Sequence, residues 1–361
     1  MDKPVKSPKV AVQRSTLVDC EQIIPRLIAS IGFDSPRERD TIVIKPNLGD
    51  INSPDTGSTT HPFVVESIIN FLRKSGYPEI VIAESNHPVG TADEAFEQLG
   101  YRELSERLGV RLVNLSMEKK VRLALNGDYF QTLLVPEILM RATNIINVAK
   151  LKTHVQYRMS CAMKNIFGLV PQRNRGRYHP FLNEVLCDLM CVYDRQLCVI
   201  DGIVGMEGQG PSQGFPKAAG VVIVGNNAVA ADIVAAKIMG FRPSQIPYLK
   251  YAMNRLDIRE DSIDIVGDID GCKQRFEFIP FASYLLYRSA LRLARTGLGI
   301  SKTLGNFAEL LKLAAPFFLI RRQGFAIDLS SGAVLELQAR LYARGTMKRV
   351  LTKAKALMRA I

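Results

Sequence analysis

The stretch Asn144-Ile-Ile-Asn-Val-Ala-Lys150-Leu-Lys152-Thr-His154-Val-Gln-Tyr-Arg-Met-Ser-Cys161-Ala-Met-Lys164-Asn165-Ile-Phe-Gly168-Leu-Val-Pro171 decides how the rest of the chain is read. Ile145 to Val148 is a short apolar run, which predicts a buried strand. Lys150, Lys152 and His154 follow at once, and Lys164-Asn165 then leads into Gly168. In an open parallel sheet, ligands bind just beyond the carboxyl ends of the strands. Cations and a histidine at such an edge suit an anionic substrate, or a metal with anionic ligands. The competing reading is a basic, solvated loop. Against it, these Lys and Asn residues interrupt apolar sequence instead of joining a charge run.

Working outward, the same pattern recurs on both sides. Lys9 to Val12 reads as a first strand, and Thr41-Ile-Val-Ile-Lys45-Pro-Asn47 as a second that also ends on a lysine. A polar loop from Gly49 to His61 follows. A helix then opens near Thr60 or His61 and carries Val64, Val65, Ile68, Ile69 and Leu72 on one face. Glu79 to Glu84 is a third strand, ending in a carboxylate. Two short helices split by Gly100 and a strand at Arg111 come next. A hairpin is expected at Asn126-Gly127, because Asn-Gly favours a type I′ turn. Downstream, Phe181 to Tyr193 reads as a helix and Leu197 to Asp201 as a strand ending in aspartate. Val221 to Val224 and Ser262 to Val266 are further strands, with a helix between them capped by Asn226 or Asn227. Strand, helix and strand in repetition indicate βαβ units. The expected fold is therefore α/β, a mostly parallel sheet with flanking helices, over residues 1–280.

Composition supports this and separates the C-terminal region. With 361 residues and 47% hydrophobic content, the chain can bury a sizeable core. No run reaches the ~18 apolar residues of a membrane span and the start has no signal core, so a cytoplasmic protein is expected. Six cysteines without a repeating pattern read as reduced thiols. Residues 281–361 hold 14 Lys and Arg against 3 Asp and Glu, whereas the remainder holds 33 against 32. The overall charge of +12 thus belongs almost entirely to a basic C-terminal extension. There, Leu and Phe alternate with Arg and Lys as in amphipathic helices. Such helices can lie on an anionic membrane surface or pack on the body with the basic face in water. Nucleic acid is disfavoured as a partner, since the extension has no recognised motif and few aromatic stacking groups.

Several motifs, in order, resemble one family. Ile44-Lys-Pro-Asn-Leu48, Lys150-Leu-Lys-Thr-His154, Lys164-Asn-Ile-Phe-Gly168, His179, Asp201-Gly202 and Met206-Glu-Gly-Gln-Gly-Pro211 are similar to the uncharacterised bacterial and archaeal family catalogued as domain of unknown function 362. The likeness spans about Thr41 to Gly240. Many members of that family carry a ferredoxin-type cluster domain, which implies redox chemistry for them. A ferredoxin run needs four cysteines at roughly two-residue spacings. No two cysteines here are separated by two residues, so no iron–sulfur cluster is expected.

If the strand ends share one rim, their charged groups meet in a crevice. Lys152, His154 and Glu207 are the candidate catalytic residues, with His154 as acid or base. Lys45, Asn47, Lys150, Lys164, Asn165, Arg177 and His179 are the candidate substrate contacts, and Arg173 and Arg175 share the basic loop with Arg177. Glu84, Asp201 and Glu207 could hold a divalent metal through oxygen. A structural salt-bridge network is the alternative for the Lys and carboxylate set. His61 and His87 fall in loops on the same edge and read equally well as a cap or as surface residues. Gly202, Gly205, Gly208 and Gly210 could cradle phosphate but match no phosphate-binding fingerprint. Cys187, Cys191 and Cys198 read as small buried hydrophobes, and Cys161 as the thiol to test for reactivity. Together these point to an enzyme acting on an anionic small molecule, phosphate- or carboxylate-bearing and conceivably lipid-linked. The alternative is a non-catalytic metal- or cofactor-binding assembly protein that works with a redox partner.

Overall fold

The computed structural model describes residues 7–33, 40–87, 90–172 and 174–278; the basic extension over 281–361 and Arg173 lie outside them. The strands are β1 (Lys9–Arg14), β2 (Thr41–Pro46), β3 (Glu79–Glu84), β4 (Arg111–Asn114), β5 (Lys120–Ala124), β6 (Thr132–Pro136), β7 (Asn144–His154), β8 (Arg158–Ser160), β9 (Gln196–Glu207), β10 (Phe215–Lys217), β11 (Val221–Gly225) and β12 (Asp264–Val266). Among the described residues, ten of them form one sheet with the spine β12-β1-β11-β9-β7-β2-β3-β4, and β8 and β10 flank β7 and β9. The segment from β9 to β4 is parallel throughout, and β11 runs against both β9 and β1. The fold is the expected α/β architecture with a mostly parallel sheet.

The helices are α1 (Cys20–Ser30), α2 (Pro62–Lys74), α3 (Ala92–Gln98), α4 (Tyr101–Leu108), α5 (Glu137–Arg141), α6 (Ala162–Ile166), α7 (Leu182–Val192), α8 (Ala228–Ile238) and α9 (Pro247–Arg255). Side chains alternate across a strand, so each strand feeds two cores. Ile42, Ile44, Ile146 and Val148 pack with the apolar faces of α1 to α4. Val43, Ile145, Ala149 and Leu151 pack with α6 to α9 and the β5–β6 hairpin. Near-continuous burial of β2, β7 and β9 follows from helices covering both faces. Small residues do the same for α8, where Ala230, Ala231, Ala235 and Ala236 let all of it but Lys237 lie buried.

Chain order fixes one special position. From β2 the sheet grows through β3 and β4 in one direction, and β7 then returns to the other side of β2 and grows toward β9. The β2/β7 boundary is therefore where the winding reverses, the place where open α/β sheets leave a crevice.

Two strands are longer than their apolar runs predict. β7 continues through Lys150, Lys152 and His154, because β8 turns back and pairs Lys152 with Ser160 and His154 with Arg158. β9 continues past Asp201 to Glu207, because β10 and β11 cover it successively. The candidate groups thus sit within strands, not in loops after them. The glycines read as a phosphate cradle serve this packing instead. A Cβ on Gly205 would lie 2.7 Å from the Leu151 carbonyl oxygen, and one on Gly210 would lie 2.1 Å from that of Thr153.

The hairpin also differs from expectation. Gly127 N–H donates to the Phe130 carbonyl, which places Asp128-Tyr129, not Asn126-Gly127, at the tip. The buried carboxylate of Asp188 on α7 accepts the N–H groups of Asp128, Tyr129 and Phe130 at 2.7–2.9 Å. A Cβ on Gly127 would lie 2.3 Å from that carboxylate. A tertiary contact overrides the local turn preference.

Candidate functional site

A pocket of about 140 Å³ lies at the β2/β7 reversal. Lys45 and Asn47 reach it from the end of β2, and Glu84 and Ser85 from the end of β3. Lys152, His154 and Ser160 come from the β7–β8 ribbon, and Lys164, Asn165, Phe167 and Gly168 from α6 and the turn after it. Asp50, Arg175 and Ser212 complete the polar lining. Residues about 160 positions apart thus converge because five separate chain segments end at one rim.

The interior is a connected hydrogen-bond system. Lys45 Nζ donates to Glu84 Oε2 at 2.7 Å and to Asn165 Oδ1 at 3.3 Å. Asn165 Oδ1 also accepts from Asn47 Nδ2 at 2.9 Å, and Asn165 Nδ2 donates to Asn147 Oδ1 at 2.8 Å. Lys152 Nζ donates to Asn47 Oδ1 at 2.9 Å and to the Ser58 carbonyl at 2.6 Å. Gly168 sits over this system: a Cβ there would lie 2.5 Å from Lys45 Cε and 3.1 Å from Glu84 Oε1. Arg175 Nη1 donates to the Gly168 and Val170 carbonyls at 3.2 and 3.0 Å, which fixes the turn.

α6 is only five residues long, and short helices are marginal without outside support. Buried Asp232 of α8 supplies it by accepting the N–H groups of Ala162 and Met163 at 2.7 and 3.2 Å. Burial raises that carboxyl to about 7, and the two N–H donors oppose the shift. Asp232 positions Lys164 and Asn165 without lining the pocket.

Lys152 and Lys164 stand apart electrostatically. Neither has a carboxylate within ion-pair distance among the described residues, although Asp50 lies near enough to Lys152 to offset part of the cost of its burial. Burial holds the Lys152 ammonium down to about 8. Burial, with the charges of Lys152 and Arg175, holds the Lys164 ammonium down to about 7. Lys164 Nζ lies 5.6 Å from the ring centroids of both Tyr157 and Phe167. His154 is 7% exposed, and burial first, then Lys164, His179 and Lys152, keeps its imidazole neutral at pH 7. Its Nδ1 accepts the Gln156 N–H at 3.2 Å, so the ring proton resides on Nε2. His154 is thus a neutral donor.

Other candidates lie elsewhere. Lys150 pairs with Asp201 at 2.7 Å, both at most 1% exposed, and neither lines the pocket. Asp201 also accepts the N–H groups of His61 and Ile203, which ties it to the start of α2. Glu207 pairs with Lys217 at 2.9 Å and accepts the Glu277 N–H, also outside the lining. Glu84, Asp201 and Glu207 are therefore three separate ion pairs and not one ligand set, and among the described residues no three His, Cys, Asp or Glu side chains group to hold a metal.

Arg177 is exposed and bonded to Gln172 and Tyr178, so among the described residues Arg175 is the arginine of that loop at the pocket. His179 packs edge-on against the lining ring of Phe167 at 5.8 Å and does not itself line the pocket. His61 caps α2 through Nδ1, and buried His87 also lies off the pocket. Cys187 and Cys198 are buried as expected, but Cys191 is exposed. Burial raises the Cys161 thiol well above its usual range, so it is not a reactive thiolate. Asp50, Ser85 and Ser160 were missed, because single polar residues in a polar loop or at a strand end carry no periodic signal.

These features define an open α/β protein with a lysine-rich pocket at the reversal of its sheet. The chain belongs to the family described as domain of unknown function 362, which matches residues 42–237. It is 28% identical over 233 residues to a thylakoid-associated protein of Synechocystis sp., covering 63% of this chain and 71% of that one. A crystal structure of a Thermotoga maritima protein aligns with a TM-score of 0.35 at 14% identity, over 62% of this chain and 58% of that one. No helix among the described residues is long and apolar enough to cross a membrane.

Proposed function

We propose that this protein is an enzyme acting on a small anionic molecule, carboxylate- or phosphate-bearing, bound in the β2/β7 pocket. One observation carries the reading: Lys152 and Lys164 face the pocket without a carboxylate salt bridge, whereas buried Lys45 and Lys150 each hold one at 2.7 Å. Lys152 is buried and Lys164 half-buried; an uncompensated buried charge costs several kcal/mol, and a bound anion offsets that cost. In this reading Lys152 and Lys164 hold the anion, His154 Nε2–H donates to it, and Asn47, itself bonded to Asn165, orients Lys152. A divalent ion would draw on Glu84 and Asp50, the carboxylates that line the pocket.

Calorimetric titration with oxalate tests the reading. Binding to the native protein that is lost in Lys152→Met and Lys164→Met supports it. Absence of binding, or binding equal in all three proteins, removes it. Metal analysis of the purified protein, with and without chelator, tests the ion.

A second reading, peripheral membrane association, draws support from the charge of residues 281–361 and from the thylakoid association of the Synechocystis relative. Co-sedimentation with phosphatidylglycerol vesicles that disappears at high salt supports it, and failure to sediment removes it.

A further inference from the structure

We propose that Lys164 is a carbonyl-reactive amine that forms an imine with a small oxo acid, whose carboxylate lies against Lys152. This rests on the anion-binding reading above and narrows its substrate class.

The argument begins with what each pocket amine is already doing. Lys45 Nζ is held by Glu84, Asn165 and the Pro46 carbonyl. Lys152 Nζ is held by Asn47 and Ser58. A nucleophilic amine needs an available lone pair and an approach path, and neither of these lysines offers both. Lys164 does. Its side chain lines the pocket, makes no hydrogen bond or ion pair among the described residues, and rests between the Tyr157 and Phe167 rings. Those rings exclude water from the stem while Lys152 and Arg175 repel a proton from the tip. Desolvation and a neighbouring cation are the two devices that activate a Schiff-base lysine, and the fall of this ammonium to about 7 agrees with that environment.

A second observation points to an occupant. Ser85 Oγ lines the same pocket, is fully buried, and has no hydrogen-bond partner. Buried hydroxyls are rarely left in that state. A substrate oxygen is the group that would complete it.

The condensation balances without an oxidant or reductant. The neutral Lys164 amine attacks the carbonyl carbon as the C=O π electrons move onto oxygen. Both protons of the amine pass to the former carbonyl oxygen, which departs as water as C=N forms. His154, neutral and in the same pocket, can hydrogen-bond through Nε2–H to the oxygen as charge develops on it, without giving up its proton.

The test uses the full chain, pyruvate as the probe, and borohydride, whose hydride reduces C=N to a stable secondary amine. Intact mass should rise by one reduced pyruvyl group per chain, and peptide mapping should place it on Lys164. Lys164→Arg cannot form the imine, so it should lose the adduct while retaining the melting temperature, which separates loss of the reactive amine from loss of the fold. Lys152→Met should lower labelling at limiting pyruvate. No adduct, or one scattered over surface lysines and unchanged in Lys164→Arg, overturns the imine. If oxalate still binds in that case, the anion pocket survives and only this inference falls; if oxalate does not bind, both fall.

Discussion

Lys150 and Lys152 are two residues apart on one strand, yet they do opposite things. Lys150 is closed into a pair with Asp201, which the start of α2 also grips. Lys152 opens into the pocket and makes hydrogen bonds only to uncharged oxygens. Regular pleating would send both to one face. The β7–β9 register shifts between them, however, from Lys150 opposite Asp201 to Lys152 opposite Met206. The added residues lie on β9, so the pleat of β7 still sends both lysines to one face, and what changes is the residue across from each. The lysine opposite Asp201 holds the fold together, and the one opposite Met206 is left available for a ligand.

That contrast can be broken in several ways. The largest effect is expected from Asp201→Ala, which strands Lys150 as a buried charge and should cost about 3–5 kcal/mol in chemical denaturation. An unchanged midpoint would mean that the pair is not structural. Lys152→Met should do the reverse. Stability should hold or rise, because removing the buried ammonium relieves its desolvation cost while the lost bonds to neutral oxygens are modest. Oxalate affinity should fall at least roughly tenfold, the size expected for one charge-assisted contact.

pH sharpens the comparison further. Oxalate keeps a fixed charge near neutrality, whereas Lys164 and Lys152 lose their protons near about 7 and about 8. Oxalate affinity should be highest below pH 7 and fall up to pH 9. Because both folded-state values lie below the ordinary lysine value, the unfolded chain binds more protons between them. These two groups should therefore add stability as pH rises from about 7 to about 10. Asp232, raised to about 7, has the opposite sign and removes stability as pH rises from about 4 to about 7. Denaturation across that range, compared between native protein and Lys164→Met, isolates the lysine contribution. The smallest effect belongs to Glu207→Gln, whose partly exposed pair with Lys217 is worth about 0–1 kcal/mol. It should leave oxalate binding unchanged, and a large loss of binding would return Glu207 to the site.

Much of the site was legible before the fold was known. Lys45, Asn47, Lys152, His154, Lys164 and Asn165 were picked out because polar groups that interrupt apolar strands must be paired or used. The same rule could not say which fate each would meet. It selected Lys150, Asp201 and Glu207 equally well, and all three lie in ion pairs outside the pocket lining. Asp50 and Ser85 escaped notice because their role depends on neighbours far away in the chain.

The amino-acid sequence alone determined the βαβ repetition, the two-faced strands and the family to which the chain belongs. Hydrophobic period and turn chemistry are local properties, and they are sufficient for that much. Tertiary structure decided where the winding reverses, how far β7 and β9 extend, and which lysine finds a carboxylate. Those outcomes depend on distance and dielectric between residues remote in sequence, where the partner strand alone decides whether a buried amine meets a carboxylate.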